Sequence, residues 1–305
     1  IRFLLTNLSL STAIFLRPPT APSSSGCDDV EPIPAYLHIA SIDLAVNADG
    51  SQGDNTDDIV DAWVFVDGQE AGTFELPATI PVLHSGSSVV TVLAGIKKNG
   101  LNTDRVIYPF YEAYEVTMKL IPSQVDTLRP VVKYREGVTF PWLENFEDNS
   151  ISLTGSGSGT TDSFIITEDP EDVFNYDGVN NLRSGETIIG NGFQRWENSS
   201  VDLFDLPRIG QDIYLEINFK CNTEFVVGIY PINSPIATGV PIVNFFSTAD
   251  SDGENMQWKK AYVSLKEDVN NPEFQNAEFK VFFNTQSNQG SATKIFLDNI
   301  KLIHF

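Results

Sequence analysis

The stretch "GNGFQRWENSS" (residues 190–200) places one large aromatic ring among side chains that give and accept hydrogen bonds. Gln194, Arg195, Glu197 and Asn198 flank Trp196, and Tyr230 enters a Pro/Asn loop in "VVGIYPINSP". Such a set suits a sugar. The C–H faces of a pyranose stack on an indole or phenol ring, while amide, guanidinium and carboxylate groups bond its hydroxyls. These six residues form the candidate ligand-binding set, with Trp196 as its exposed platform.

Signs of covalent chemistry are sparse. His38, His84 and His304 stand singly, without the spacing of a zinc site. The segment "GSGSGT" (155–160) does not satisfy the nucleophile pattern G-x-S-x-G and reads as a flexible loop. Phosphate-binding and dinucleotide-binding fingerprints do not occur. Carboxylates are abundant, but no pair is singled out for glycoside hydrolysis. The acidic loop "DGSQGDNTDD" (49–58) lacks the EF-hand order of ligands and reads as solvated. A non-enzymatic protein is expected.

Cys27 is one of only two cysteines, and it lies between a greasy N-terminus and a proline-rich tether. Residues 1–16, "IRFLLTNLSLSTAIFL", carry Arg2 and then an apolar run of signal-peptide length, short for a spanning helix. The following "SSGC" (24–27) resembles a bacterial lipobox, which implies lipidation of Cys27. Asp28 and Asp29 resemble the acidic export signal of surface-displayed lipoproteins of Bacteroidota. The implied address is the outer membrane, lipid-anchored and surface-exposed. An ordinary secretory peptide with an incidental cysteine is the alternative, since "RPPTAPSSSG" separates the apolar run from Cys27. The other cysteine, Cys221, sits in a strand-like run and reads as a small core residue.

The chain of 305 residues has a formal net charge of −22, from 41 acidic against 19 basic residues. That balance argues against a nucleic-acid partner, which would need clustered Lys and Arg. Beyond the tether (28–35), helical periodicity is scarce, and short alternating runs separated by Gly, Asn, Asp and Pro predict an all-β chain. A first strand is expected over Ala35 to Val46, and "RVIYPFYEAYEVTMKLIP" reads as one long strand. Six or seven strands within about 100 residues suit an antiparallel sandwich.

Within that region "VFVDGQEAGTFELPATIPVLHSGSSVVTVLAGIKKNG" resembles PEGA domains and the related carboxypeptidase-regulatory-like sandwiches. Its Asp67-Gly68 pair is a hairpin signal in its own right. The second unit opens on "ENFEDNS" (144–150), passes through "MQWKKAYVSL" (256–265) and closes on "ATKIFLDNIKLIHF". These landmarks resemble galactose-binding-like jelly rolls, the fold of many carbohydrate-binding modules. The resemblance implies an immunoglobulin-like or PEGA-like sandwich over 36–136 and a jelly roll over 137–305, whose first and last strands lie side by side. It also implies a structural Ca²⁺ held by Glu147 and Asp298, with Asp148 as an extra ligand, because paired carboxylates need hard-cation compensation. Trp63 and Trp258 are expected in the core.

The function expected from the sequence is therefore an exported, lipid-anchored surface protein whose jelly roll binds carbohydrate or another surface ligand. The alternative is a structural or assembly lipoprotein that packs against an outer-membrane or secretion-system protein and binds no sugar.

Overall fold

Period-two alternation governs nearly every element of the chain. The computed structural model describes residues 32–156, 163–175, 181–190, 195–235, 238–251, 255–286 and 292–305. Apart from a single helical turn, Lys266–Val269, and the 3₁₀ turn Pro272–Phe274, the regular elements described there are β-strands. Ile33 to Phe305 form one compact unit with two hydrophobic core clusters.

The first cluster along the chain lies among three sheets. Ala35–Ile39 pairs with Ala78–Val82 and Val125–Leu128, Asp43–Ala45 pairs with Val131–Lys133, and a five-stranded sheet is built on Asp61–Val66 and Gly86–Lys97. The expected first strand is thus two short strands that join different sheets. Asp67 and Gly68 both take positive φ (49° and 77°) and close a two-residue hairpin between Asp61–Val66 and Gln69–Glu75, as a primed turn requires. The long strand expected after Arg105 is broken into Arg105–Ile107 and Tyr114–Leu120, both paired with Gly86–Lys97. Pro109 has no N–H for a ladder, and Tyr108, Phe110 and Tyr111 beside it turn into a buried position.

The C-terminal half has two sheets. One holds Thr139–Glu144, Ile165–Thr167, Ser184–Ile189, Thr293–His304, Ile213–Cys221 and Lys259–Ser264. The other runs Leu153–Gly155, Arg195–Ser200, Glu278–Gln286, Phe225–Ile232, Val240–Phe245. The opening strand Thr139–Glu144 pairs antiparallel with the closing strand Thr293–His304, which brings the ends of this half together. Cys221 is buried here as a free thiol, and burial pushes it up to about 11.

Ile213–Cys221, "IYLEINFKC", shows how the halves meet. Its apolar positions Ile213, Leu215, Ile217, Phe219 and Cys221 enter the core between the two C-terminal sheets. Every residue of the strand is nonetheless buried, polar positions included. Residues from the N-terminal half meet the other face. Glu216 Oε1 accepts from the hydroxyls of Tyr108 (2.8 Å) and Tyr134 (2.9 Å), and Oε2 lies 2.7 Å from Lys260 Nζ. Lys260 also donates to Thr56 Oγ1 (3.1 Å), which donates to Asn218 Oδ1 (3.0 Å). Lys301 donates to the Asp54 carbonyl and to Tyr134 Oη. Around these groups Tyr108 packs edge-on against Tyr111, Tyr214 and Tyr262, with ring centroids 4.6, 5.3 and 4.9 Å away.

Burial pushes the Glu216 carboxyl up, but Lys260, Lys301 and the phenol donors outweigh it and hold the group below the usual carboxylate range. Burial lowers Lys301 from 10.5 to about 7, with Glu216 opposing. Removing one partner of a buried ion pair strands the other in a low-dielectric site. Glu216→Ala should therefore cost about 3–5 kcal/mol in denaturant unfolding; a loss under about 1 kcal/mol would contradict this reading. For Lys301 the unfolded chain holds the proton more tightly, so its cost is fully present below about pH 7 and fades as pH rises toward 10.5. Unfolding free energy of the parent chain relative to Lys301→Met should rise across that window; a pH-independent difference would show that Lys301 is not so perturbed.

Candidate functional site

Arg195–Ser200 is a strand, paired with Leu153–Gly155 on one side and Glu278–Gln286 on the other. Alternation sends Trp196 and Arg195 to opposite faces. Trp196 is 0% exposed and packs edge-on against Phe164 at 5.4 Å within the core. The exposed platform expected at Trp196 is corrected by this: the indole is sheet-core packing with no face open to a sugar. Asn198, on the same side of the strand, is buried with it. Gln194 lies outside the described residues, as does Cys27.

Arg195, Glu197 and Tyr230 do come together, on the outer face of the five-stranded sheet. Glu197 Oε1 accepts from Tyr230 Oη (2.7 Å) and Ser156 Oγ (3.0 Å), and Oε2 accepts from Asn284 Nδ2 (2.9 Å). Arg195 Nη2 stands 3.8 Å from Oε2, its side chain 54% exposed against 4% for Glu197. The carboxylate is therefore fixed by three neutral donors, with an exposed guanidinium beside it. Burial raises the Tyr230 hydroxyl, and its bond to Glu197 raises it further, so it stays a donor at neutral pH.

Beside this cluster the Tyr230 ring lies against Phe282, centroids 4.7 Å apart. Two glycines make room. A Cβ on Gly228 would come within 2.4 Å of Phe282, and one on Gly239 within 2.8 Å of Tyr230. The rings thus lie directly on the backbone of their neighbours, and Tyr230 stays half-exposed. Phe282, itself buried, backs the partly exposed Tyr230 ring at an interplanar angle of 41°. Fixed acceptors, the exposed Arg195 guanidinium and the edge of the Tyr230 ring on one sheet face can contact a polyhydroxylated ligand.

Phe282 and Asn284 were missing from the sequence-based set. They lie in "EFKVFFNTQ", where adjacent phenylalanines at 282 and 283 leave the strand parity open; the structure puts Phe283 in the core and Phe282 under Tyr230. Trp258, expected in the core, is half-buried. It packs against Phe174 at 5.3 Å, on the wall of a cleft beside the lobe junction.

Glu147 and Asp298 both engage the segment 181–184. Glu147 Oε1 accepts from the N–H groups of Leu182 (2.8 Å) and Arg183 (3.0 Å). Asp298 Oδ2 accepts from Ser184 Oγ (2.5 Å) and Asn181 Nδ2 (3.1 Å), and Oδ1 from Asn299 N–H (2.7 Å). Burial pushes the Asp298 carboxyl well up. Asp148 is turned away, bonded to Ser150. These carboxylates are taken by protein donors, and among the described residues no three His, Cys, Asp or Glu side chains converge as a metal site.

No family model matches the chain, and no curated protein does. Among solved structures, it is similar to carbohydrate-binding modules. One concerns the promiscuous specificity of such modules from the β-sandwich superfamily, at 18% identity over 80% of this chain and 84% of that one, TM-score 0.37. Another is a family 28 module described as specific for non-crystalline cellulose, at 13% identity over 52% and 91%, TM-score 0.36. A third is a family 61 module in complex with β-1,4-galactotriose, at 11% identity over 53% and 94%, TM-score 0.33. Values at this level carry no ligand from one chain to another.

Calcium at Glu147 and Asp298 is tested by thermal unfolding: a saturable rise in midpoint on adding Ca²⁺, abolished by Asp298→Asn, would support the cation, and a midpoint unchanged by Ca²⁺ and by chelator would remove it.

Proposed function

We propose that the chain is a non-catalytic, surface-displayed binding protein whose C-terminal half, residues 137–305, holds a glycan on the outer face of its five-stranded sheet. The observation that carries this reading is the convergence of Arg195, Glu197, Tyr230 and Asn284 beside the Tyr230–Phe282 ring pair. The partner sheet is unsuited to the task, because its outer strands Ile213–Cys221 and Lys259–Ser264 are buried against the N-terminal half. In this reading residues 36–136 form an immunoglobulin-like or PEGA-like support, and Cys27 carries the lipid that anchors the protein to the outer membrane.

Binding of the fragment from Asp28 onward to a glycan array, followed by titration calorimetry on each hit, tests the site. Arg195→Ala and Tyr230→Phe should each weaken binding about tenfold or more, the range for a lost hydrogen bond to a charged group. Unchanged affinity in both variants would remove the site. Silence of the well-folded fragment across the array would favour the assembly reading. The anchor is tested separately: radiolabelled palmitate should enter the full precursor expressed in a Gram-negative host and be lost in Cys27→Ser, and equal labelling of the two would refute it.

A further inference from the structure

A second recess lies where the two halves meet. Its volume is about 720 Å³, and its walls come from the loops around residues 56–58 and 97–102 on one side and from residues 244–246 and 258–261 on the other. Volumes of this order suit a small ligand of one or two rings. Two large apolar side chains stand open at it, one from each half: Leu101 is 51% exposed and Phe246 is 73% exposed. Trp258 adds a half-buried indole whose N–H is buried yet meets no acceptor among the described residues.

The polar groups are held in advance. Asn99 Oδ1 accepts from Ser264 N–H (2.8 Å), and Asn244 Nδ2 donates to Glu224 (2.8 Å), so both amides have fixed orientation. Charge is nearly balanced, with Asp57 and Asp58 facing Lys97 and Lys259 while Lys260 is engaged by Glu216. A phosphorylated or strongly acidic ligand would find no surplus of cations. Apolar walls, oriented amides and balanced charge match a neutral saccharide ring: its C–H faces against Trp258 and Phe246, its oxygens on the amides.

We infer that this junction recess is a second binding site, for one or two neutral sugar residues, and that both halves of the chain build it. It does not depend on the open-face reading, since none of its walls carries Arg195, Glu197 or Tyr230.

The probes are glucose, galactose, mannose, xylose, N-acetylglucosamine and their β-1,4-linked disaccharides. They are titrated into the fragment from Asp28 onward, followed by tryptophan fluorescence and checked by calorimetry. Phe246→Ala and Leu101→Ala remove exposed side chains, so both should fold; Trp258→Leu removes the aromatic wall. At least one probe should bind saturably, with affinity reduced about tenfold or more in each variant and unchanged in Arg195→Ala. Absence of saturable binding by any probe would overturn the proposal. So would full affinity in all three recess variants. Binding lost in Arg195→Ala yet intact in the recess variants would overturn the junction site and leave the open face standing.

Discussion

The ion pair of Glu216 with Lys260, set among the hydroxyls of Tyr108 and Tyr134, is the constraint on which the architecture turns. Two charges fully removed from water are costly unless each finds a close partner and further hydrogen bonds. Here the C-terminal half supplies both charges and the N-terminal half supplies the phenols, Thr56 and the carbonyl that satisfies Lys301. Neither half can leave without stranding these groups. The junction therefore works as an interior, and a flexible hinge between two beads is excluded by its chemistry.

That constraint decides which surfaces are available to a ligand. Burying the six-stranded sheet over Ile213–Cys221 and Lys259–Ser264 leaves the five-stranded sheet as the other broad face of the C-terminal half, where Glu197 gathers Tyr230, Asn284, Ser156 and Arg195. It also sets the 97–102 loop opposite Phe246 and Trp258, creating a recess that neither half has by itself. In the proposed reading the N-terminal half helps shape the binding surface as well as supporting it. Preorganisation is common to both places: the carboxylate at 197 and the amides at 99 and 244 are oriented before any ligand arrives, which lowers the ordering cost of binding.

The all-β class and some pairings were legible because alternation and turn residues are local signals. Asp67-Gly68 named its hairpin, and "IFLDNIKLIHF" named the closing strand that pairs with the opening one. Parity at the site was harder. In "RWENSS" the polar residues flanking Trp196 blur the strand alternation, yet pairing on both edges makes it a strand that turns the indole inward and Arg195 and Glu197 outward. The face assigned to Trp196 was wrong, and Asn198 is buried with it. "IYLEINFKC" misled in the opposite direction, since its polar half looks solvated in sequence and is buried because a partner from more than eighty residues away covers it. Long-range burial of polar groups leaves no local trace.

The central claim is that the junction fuses the two halves into one cooperative unit, and differential scanning calorimetry of the fragment from Asp28 onward tests it most directly. The account predicts one transition, with calorimetric and van't Hoff enthalpies equal. Two resolved transitions, or a calorimetric enthalpy well above the van't Hoff value, would mean that the halves unfold independently and that the buried Glu216–Lys260 pair does not bind them together.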